Sequence, residues 1–365
     1  MDRRRFLTAA SSLPLVSALP ASAFAQDRQF TPTPGRWRTF EVVTRLEIAE
    51  PVGATQAWVP IPSVTTDWQQ SQDTHWTGNA QEAAIATGPW GARMVHARFA
   101  EGEKSPWIEV TSRMRSQDRR HDWAGTMRAS TADRAALGQY LKSTELMPTD
   151  GIVGQTARDI VGNRRTDVEK VRALFDWVVA NTYREPNVRG CGVGDIKAML
   201  ETGNMGGKCG DINALFVGLS RAVGVPARDV YGIRVAHSAF GYRELGAGSP
   251  DVSKAQHCRA EVWLDGHGWV AMDPADVGKV MRLETADWIK DARHPVVAPV
   301  NAALFGGWEG NWMAYNVAHD VPLPGSRGAK LGFFMYPQAE TRGERIDSLD
   351  PDTFRYRITA REISA

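Results

Sequence analysis

The hydrophobic residues change period twice along this chain, and that switch selects an α+β architecture. From Phe40 the period is two: Phe40, Val42, Leu46 and Ile48 alternate with Glu41, Arg45 and Glu47, the pattern of a half-buried strand. Met94–Phe99 and Trp107–Arg115 repeat it, with Pro60, Pro62 and Pro106 as punctuation. Residues 26–125 therefore read as a β-rich N-terminal domain. The period then becomes helical. Thr166 and Glu169 have capping-box spacing, and Val168, Val171, Leu174, Phe175, Val178 and Val179 follow on one face until the pattern stops before Pro186. A short helix is predicted from Asp195 to Thr202, stopped by Gly203. The clearest helix begins near Cys209, where Ile212, Leu215, Phe216, Leu219, Ala222 and Val223 make one apolar stripe, and Gly224 and Pro226 end it. Strands return at Val230–Val235, His257–Leu264 and Trp269–Met272. Residues 126–280 form the predicted core. Residues 281–365 form a C-terminal β-containing extension, with strand-like runs at Trp312–Val317, Leu331–Tyr336 and Phe354–Ile358.

Charge and cysteine usage narrow the function classes. The 365 residues carry 43 Lys+Arg against 42 Asp+Glu. The first 25 hold three Arg and one Asp, so the rest sums to −1. A near-neutral body has no electrostatic footprint for nucleic acid or for an anionic membrane surface. Three Cys exclude a disulfide-rich scaffold. Residues 1–25 read as an address: Arg3-Arg4-Arg5 precedes a moderately apolar Leu7–Leu19, and Ala23-Phe24-Ala25 supplies a small-x-small cleavage pattern. The segment resembles a bacterial twin-arginine leader, which implies an exported, periplasmic protein that is not membrane-embedded.

Chemistry concentrates around one thiol. Gly206-Gly207-Lys208-Cys209 opens the strongest helix, where unpaired N–H groups and the positive end of the helix dipole favour thiolate. Position alone fits a nucleophile or a buried apolar Cys equally well. A base for that thiol should be a His oriented by a third polar group. His257 opens a strand that turns through Asp265-Gly266-His267-Gly268 and returns as Trp269 to Asp273-Pro274. An odd loop, or a bulge, puts Asp273 on the His257 face, diagonally displaced; an even loop puts Asp276 across from it instead.

Gly207-Lys-Cys209-Gly-Asp-Ile-Asn-Ala-Leu-Phe-Val-Gly-Leu-Ser-Arg-Ala-Val-Gly-Val-Pro-Ala-Arg228, His257 heading a strand, and Gly268-Trp-Val-Ala-Met-Asp273-Pro274 together resemble the core of the transglutaminase-like superfamily. The resemblance covers about residues 150 to 280. It implies a papain-like fold, a nucleophile helix packed on an antiparallel sheet, with Cys209 as nucleophile, His257 as base and Asp273 as its orienting partner. It further implies acyl transfer on protein or peptide amides through a thioester, completed by an amine, or by water as in a cysteine protease or amidase. The helix Val168–Asn181 followed by Tyr183 fits the family's upstream helix, Tyr183 and Asn204 are candidate oxyanion or substrate residues, and Asn204 reads equally as a donor beside the Cys209 N–H or as a turn residue after Gly203.

No metal or cofactor signature occurs. Other readings remain beside this one. Cys191, Cys209, His257 and Cys258 could be zinc ligands, although an adjacent His-Cys pair on a strand points to opposite faces. The thirteen Trp could furnish a non-catalytic peptide- or glycan-binding surface, or core. If Cys209 stays free for catalysis, Cys191 and Cys258 are left as a disulfide or as two buried thiols. Alternation predicts that Cys258 points away from Cys209.

Overall fold

The computed structural model describes residues 28–125 and 134–364; the expected leader, residues 1–25, lies outside them. The longer elements, in chain order, begin with six strands: β1 Arg38–Ile48, β2 Thr55–Pro60, β3 Gln69–Gly78, β4 Glu82–Thr87, β5 Arg93–Phe99 and β6 Trp107–Ser116. Four helices follow: α1 Gly151–Val161, α2 Asp167–Asn181, α3 Ile196–Thr202 and α4 Cys209–Ala222. After them come β7 Ala227–Arg234, β8 Gln256–Leu264, β9 Gly268–Met272, α5 Pro274–Leu283, β10 Trp312–Asn316, β11 Gln338–Thr341, β12 Glu344–Ile346 and β13 Phe354–Ser364.

These strands make three larger antiparallel sheets. One has the order β13-β1-β6-β3, a second β12-β11-β2-β5-β4, and the third β9-β8-β7-β10. Residues 281–364 thus add a strand to every one of them. Leu46, Ile48, Val59, Val95, Ala97, Ile108, Val110 and Phe354 are buried together between the first two, so the alternation in β1 and β6 serves a sandwich whose edge strands come from the far end of the chain.

The third sheet carries the helices. α4 packs on β7 and β8 and touches α1, α2 and α5. It was predicted to show one apolar stripe, yet Cys209 through Arg221 are all buried. A helix enclosed on every side must satisfy its polar groups internally. Ser220 Oγ donates to the Phe216 carbonyl at 2.8 Å, and Arg221 reaches the Ala227 carbonyl at 2.8 Å and that of Lys142 at 3.2 Å. The capping box of α2 forms as predicted, with the Thr166 side chain accepting from the Glu169 N–H and the Glu169 carboxylate from the Thr166 N–H. Trp58, Trp68, Trp308 and Trp312 are core residues, which takes them out of any exposed binding surface. No helix among the described residues is long and apolar enough to cross a membrane.

Candidate active site

The register of β8 and β9 decides which carboxylate meets His257. Leu264 pairs with Gly268, Trp263 with Trp269, and Ala260 with Met272, so the turn is the three-residue Asp265-Gly266-His267. Gly266 and Gly268 both sit at φ +77°, in the left-handed region a side chain disfavours. Extending that register places Asp273 beside Arg259, two residues along the same face from His257. His257 Nε2 lies 2.7 Å from Asp273 Oδ2. The chain then turns into α5 with Asp273 as its N-cap, accepting from the Asp276 N–H at 3.1 Å. That turn swings Asp276 back, with its Oδ2 3.4 Å from His257 Nε2. The two carboxylates, alternatives on a flat hairpin, both face the imidazole.

Cys209 occupies the first position of α4, and its thiol is buried within hydrogen-bonding reach of Cys191, Cys258 and His257. Hydrogen bonds from the Cys191 and Cys258 thiols, and then from His257, hold Cys209 well below an ordinary thiol against the upward push of burial. Cys191 and Cys258 are pushed up correspondingly. For His257, burial presses downward, but the negative charges of Asp276 and Asp273 leave it above the usual imidazole value. Both shifts favour a thiolate–imidazolium pair near neutral pH. With Nε2 taken by Asp273, Nδ1 is the nitrogen left for the thiol.

The neighbours of this set were not anticipated. Asn213, one helical turn beyond Cys209, donates to Asp273 Oδ1 at 3.1 Å and to the Cys258 carbonyl at 2.8 Å, and accepts from the Ala275 N–H at 3.2 Å. Its i, i+4 spacing from Cys209 was the available signal. Arg234 holds Asp276 at 2.5 Å and keeps it ionised, well below the carboxylate range despite burial. Arg259 Nε lies 3.6 Å from Asp273 Oδ2, its guanidinium over the rings of Trp312 and Trp308. Trp312 in turn donates from Nε1 to the His257 carbonyl at 2.9 Å. Asp211 secures the other wall: its carboxylate accepts the Val193, Gly194 and Lys208 N–H groups, each at 2.9 Å, tying the Gly190–Gly194 loop to the start of α4.

Several expectations need correction. Cys191, Cys209 and Cys258 are all free thiols, so Cys191 and Cys258 are not joined. Cys191 Sγ instead lies 3.3 Å from the Gln256 carbonyl. Nor does Cys258 point away from Cys209: α4 packs directly against β8, and the two thiols interact. Asn204 is exposed, accepts the Gly206 N–H on its side-chain oxygen at 3.3 Å in a turn role, and does not line the cavity that holds Cys209 and His257. Tyr183 lies over Gly206, where an added Cβ would meet its ring at 2.6 Å, and packs on Trp288. Its neighbour Arg184, not Tyr183, lines the cavity that holds Cys209 and His257.

The four residues weighed as zinc ligands form no metal-holding group among the described residues, whereas ligand atoms of His257, Asp273 and Asp276 lie within 4.8 Å of one another. Arg234 and Arg259 already bring positive charge to those carboxylates. Such a cluster is built around cationic side chains rather than around an added ion.

The family model of the transglutaminase-like superfamily matches residues 154–274, the span from α1 through Asp273. An uncharacterised protein of Haemophilus influenzae is 36% identical over 326 residues, covering 85% of this chain and 87% of its own. The solved structure of a candidate cysteine protease from Cytophaga hutchinsonii shares the fold with a TM-score of 0.58, at 13% identity over 92% of this chain and 94% of that one. From the order of its motifs, its papain-like sheet and helix, and these matches, the chain belongs to the transglutaminase-like superfamily.

Proposed function

We propose that the protein catalyses thiol-dependent acyl transfer on protein or peptide amides, with Cys209 as nucleophile, His257 as acid–base and Asp273 as the residue orienting it. The carrying observation is the buried Cys209–His257–Asp273 chain at the N-terminus of α4, with His257 Nε2 2.7 Å from Asp273 Oδ2. Cys209 Sγ attacks the amide carbonyl carbon while the Cys209 N–H, free of an intrahelical acceptor at the helix start, faces the developing oxyanion. The imidazolium of His257 gives its Nδ1 proton to the departing nitrogen, ammonia from a Gln side chain or an amine from a peptide bond, and a thioester remains. The neutral imidazole then takes a proton from the incoming amine or water as its nitrogen or oxygen attacks the thioester, returning Cys209 as thiolate. An amine acceptor completes transglutamination; water completes hydrolysis. Export through residues 1–25 belongs to the same proposal.

The deciding experiment offers Gln-containing peptides with and without a primary amine to the wild type and to Cys209→Ala. Ammonia release with incorporated amine supports transfer, and cleaved or deamidated peptide with amine ignored supports hydrolysis. Turnover that survives in Cys209→Ala overturns both.

A further inference from the structure

The approach to Cys209 is positively charged out of proportion to the rest of the molecule. A cavity of about 240 Å³ contains Cys209, His257, Arg184 and Lys254. A larger one of about 640 Å³ shares Arg184, Lys254 and Gln256 with it, and adds Lys208 and Arg355. Among the described residues, Arg184, Lys208, Lys254 and Arg355 have no ion-pair partner, whereas the other cations here do: Arg234 holds Asp276, Lys279 holds Glu244 and Arg189 holds Asp347. The one acid in the lining, Asp251, is matched by Arg357 at 3.1 Å. Four cations without an ion-pair partner therefore line one groove of a chain whose residues beyond 25 sum to −1.

Two buried donors point the same way. Among the described residues, Arg184 Nε and the amide nitrogen of Gln256, a residue only 8% exposed, are each buried without a hydrogen-bond partner. Buried donors left unmade are costly, and a ligand acceptor relieves that cost. The same groove is also lined by Tyr336, Leu349 and Tyr356, so a small inorganic anion would leave most of it unfilled.

We infer that the acyl substrate is an acidic peptide, with carboxylate side chains flanking the reacting amide and held by Arg184, Lys208, Lys254 and Arg355. This rests on the proposed acyl-transfer reading and names its substrate class. A desolvated carboxylate–guanidinium or carboxylate–ammonium pair supports a preference of roughly tenfold to a hundredfold over an uncharged isostere.

The test uses matched peptides in which Asp and Glu beside the reacting residue are replaced by Asn and Gln, read as kcat/KM ratios and, on Cys209→Ser, as binding by fluorescence anisotropy. The acidic peptides should be favoured by at least about tenfold, and that ratio should shrink as salt rises from about 0.05 to 0.5 M. Lys254 is exposed, so Lys254→Glu should fold and lower the ratio; Arg184→Gln should lower it further. Equal handling of acidic and neutral peptides overturns the inference while leaving the acyl-transfer reading intact. Absence of turnover with salt-sensitive, acid-selective binding upholds the inference and counts against that reading. If Lys254→Glu shifts the pH profile of Cys209 alkylation but leaves peptide selectivity unchanged, the cations serve the thiolate and the inference fails.

Discussion

Replacing Asp276 by Ala should injure the protein in two separable ways. Arg234 and Asp276 meet at 2.5 Å with side chains 3% and 2% exposed, and among the described residues the Arg234 guanidinium donates elsewhere only to the Leu245 carbonyl, at 2.6 Å. Removing the carboxylate strands a guanidinium in the core, and breaking a buried pair from one side costs about 3–5 kcal/mol. At roughly 2–4 °C per kcal/mol for domains of this size class, the melting temperature should fall on the order of 10 °C. The second injury is electrostatic. Burial lowers the His257 pKa, and the Asp276 charge is the main influence raising it. Without that charge, His257 gives up its proton at lower pH, and the alkaline limb of kcat/KM moves down. Thermal unfolding by circular dichroism reads the first effect and a pH–rate profile the second. The double variant Arg234→Met with Asp276→Leu separates them: an apolar pair of similar volume restores stability, whereas the limb, relieved also of the lowering charge of Arg234, returns only part of the way. A melting temperature within about 1 °C of wild type, or an unmoved limb in Asp276→Ala, refutes this account of the cluster.

Other expectations test the scaffold. Gly192 sits at φ +91°, and an added Cβ would lie 1.8 Å from Asp211 Oδ2; Gly192→Ala should therefore cost well over about 2 kcal/mol in urea unfolding, against about 1 kcal/mol for Gly203→Ala, at φ +68° in open space. Burial pushes Glu309 up to about 7, and among the described residues its Oε2 has no hydrogen-bond partner. A folded-state pKa above the unfolded one means that stability falls as pH rises from about 4 through 7, so Glu309→Gln should gain on the order of 2 kcal/mol over wild type at pH 8 and lose that advantage near pH 4. An unchanged pH dependence of unfolding would show that Glu309 titrates normally.

The local parts of this site were legible in the sequence because local rules decide them. The start of α4 at Cys209 follows from its flanking glycines and apolar period, and its end from Gly224 and Pro226. The position of the β8–β9 turn follows from Gly266 and Gly268, but its odd length, which puts Asp273 on the His257 face, comes from the strand register. Contacts set by tertiary approach were not legible. Nothing in the spacing shows that the far C-terminal strand β13 pairs with β1, Ile48 opposite Phe354, or that Arg234 reaches Asp276 across 42 residues. Alternation predicted that Cys258 would point away from Cys209; it could not reveal that the start of α4 would meet both His257 and Cys258. Asp276 was read as an alternative to Asp273 because a hairpin offers one partner per face, whereas the helix cap at Asp273 folds the second carboxylate back.

The central claim is that Cys209 is a thiolate activated by its surroundings. Its most direct test is the rate of iodoacetamide alkylation against pH, with the modified residue identified by peptide mapping. Cys209 is held well below an ordinary thiol while Cys191 and Cys258 are pushed up. The account predicts one fast-reacting thiol near neutral pH, mapped to Cys209, absent in Cys209→Ser, and slowed in His257→Ala through a rise in its apparent pKa. Fast labelling that persists in Cys209→Ser, or Cys209 alkylation that rises only through the pKa of a free thiol near 8.5, would contradict it.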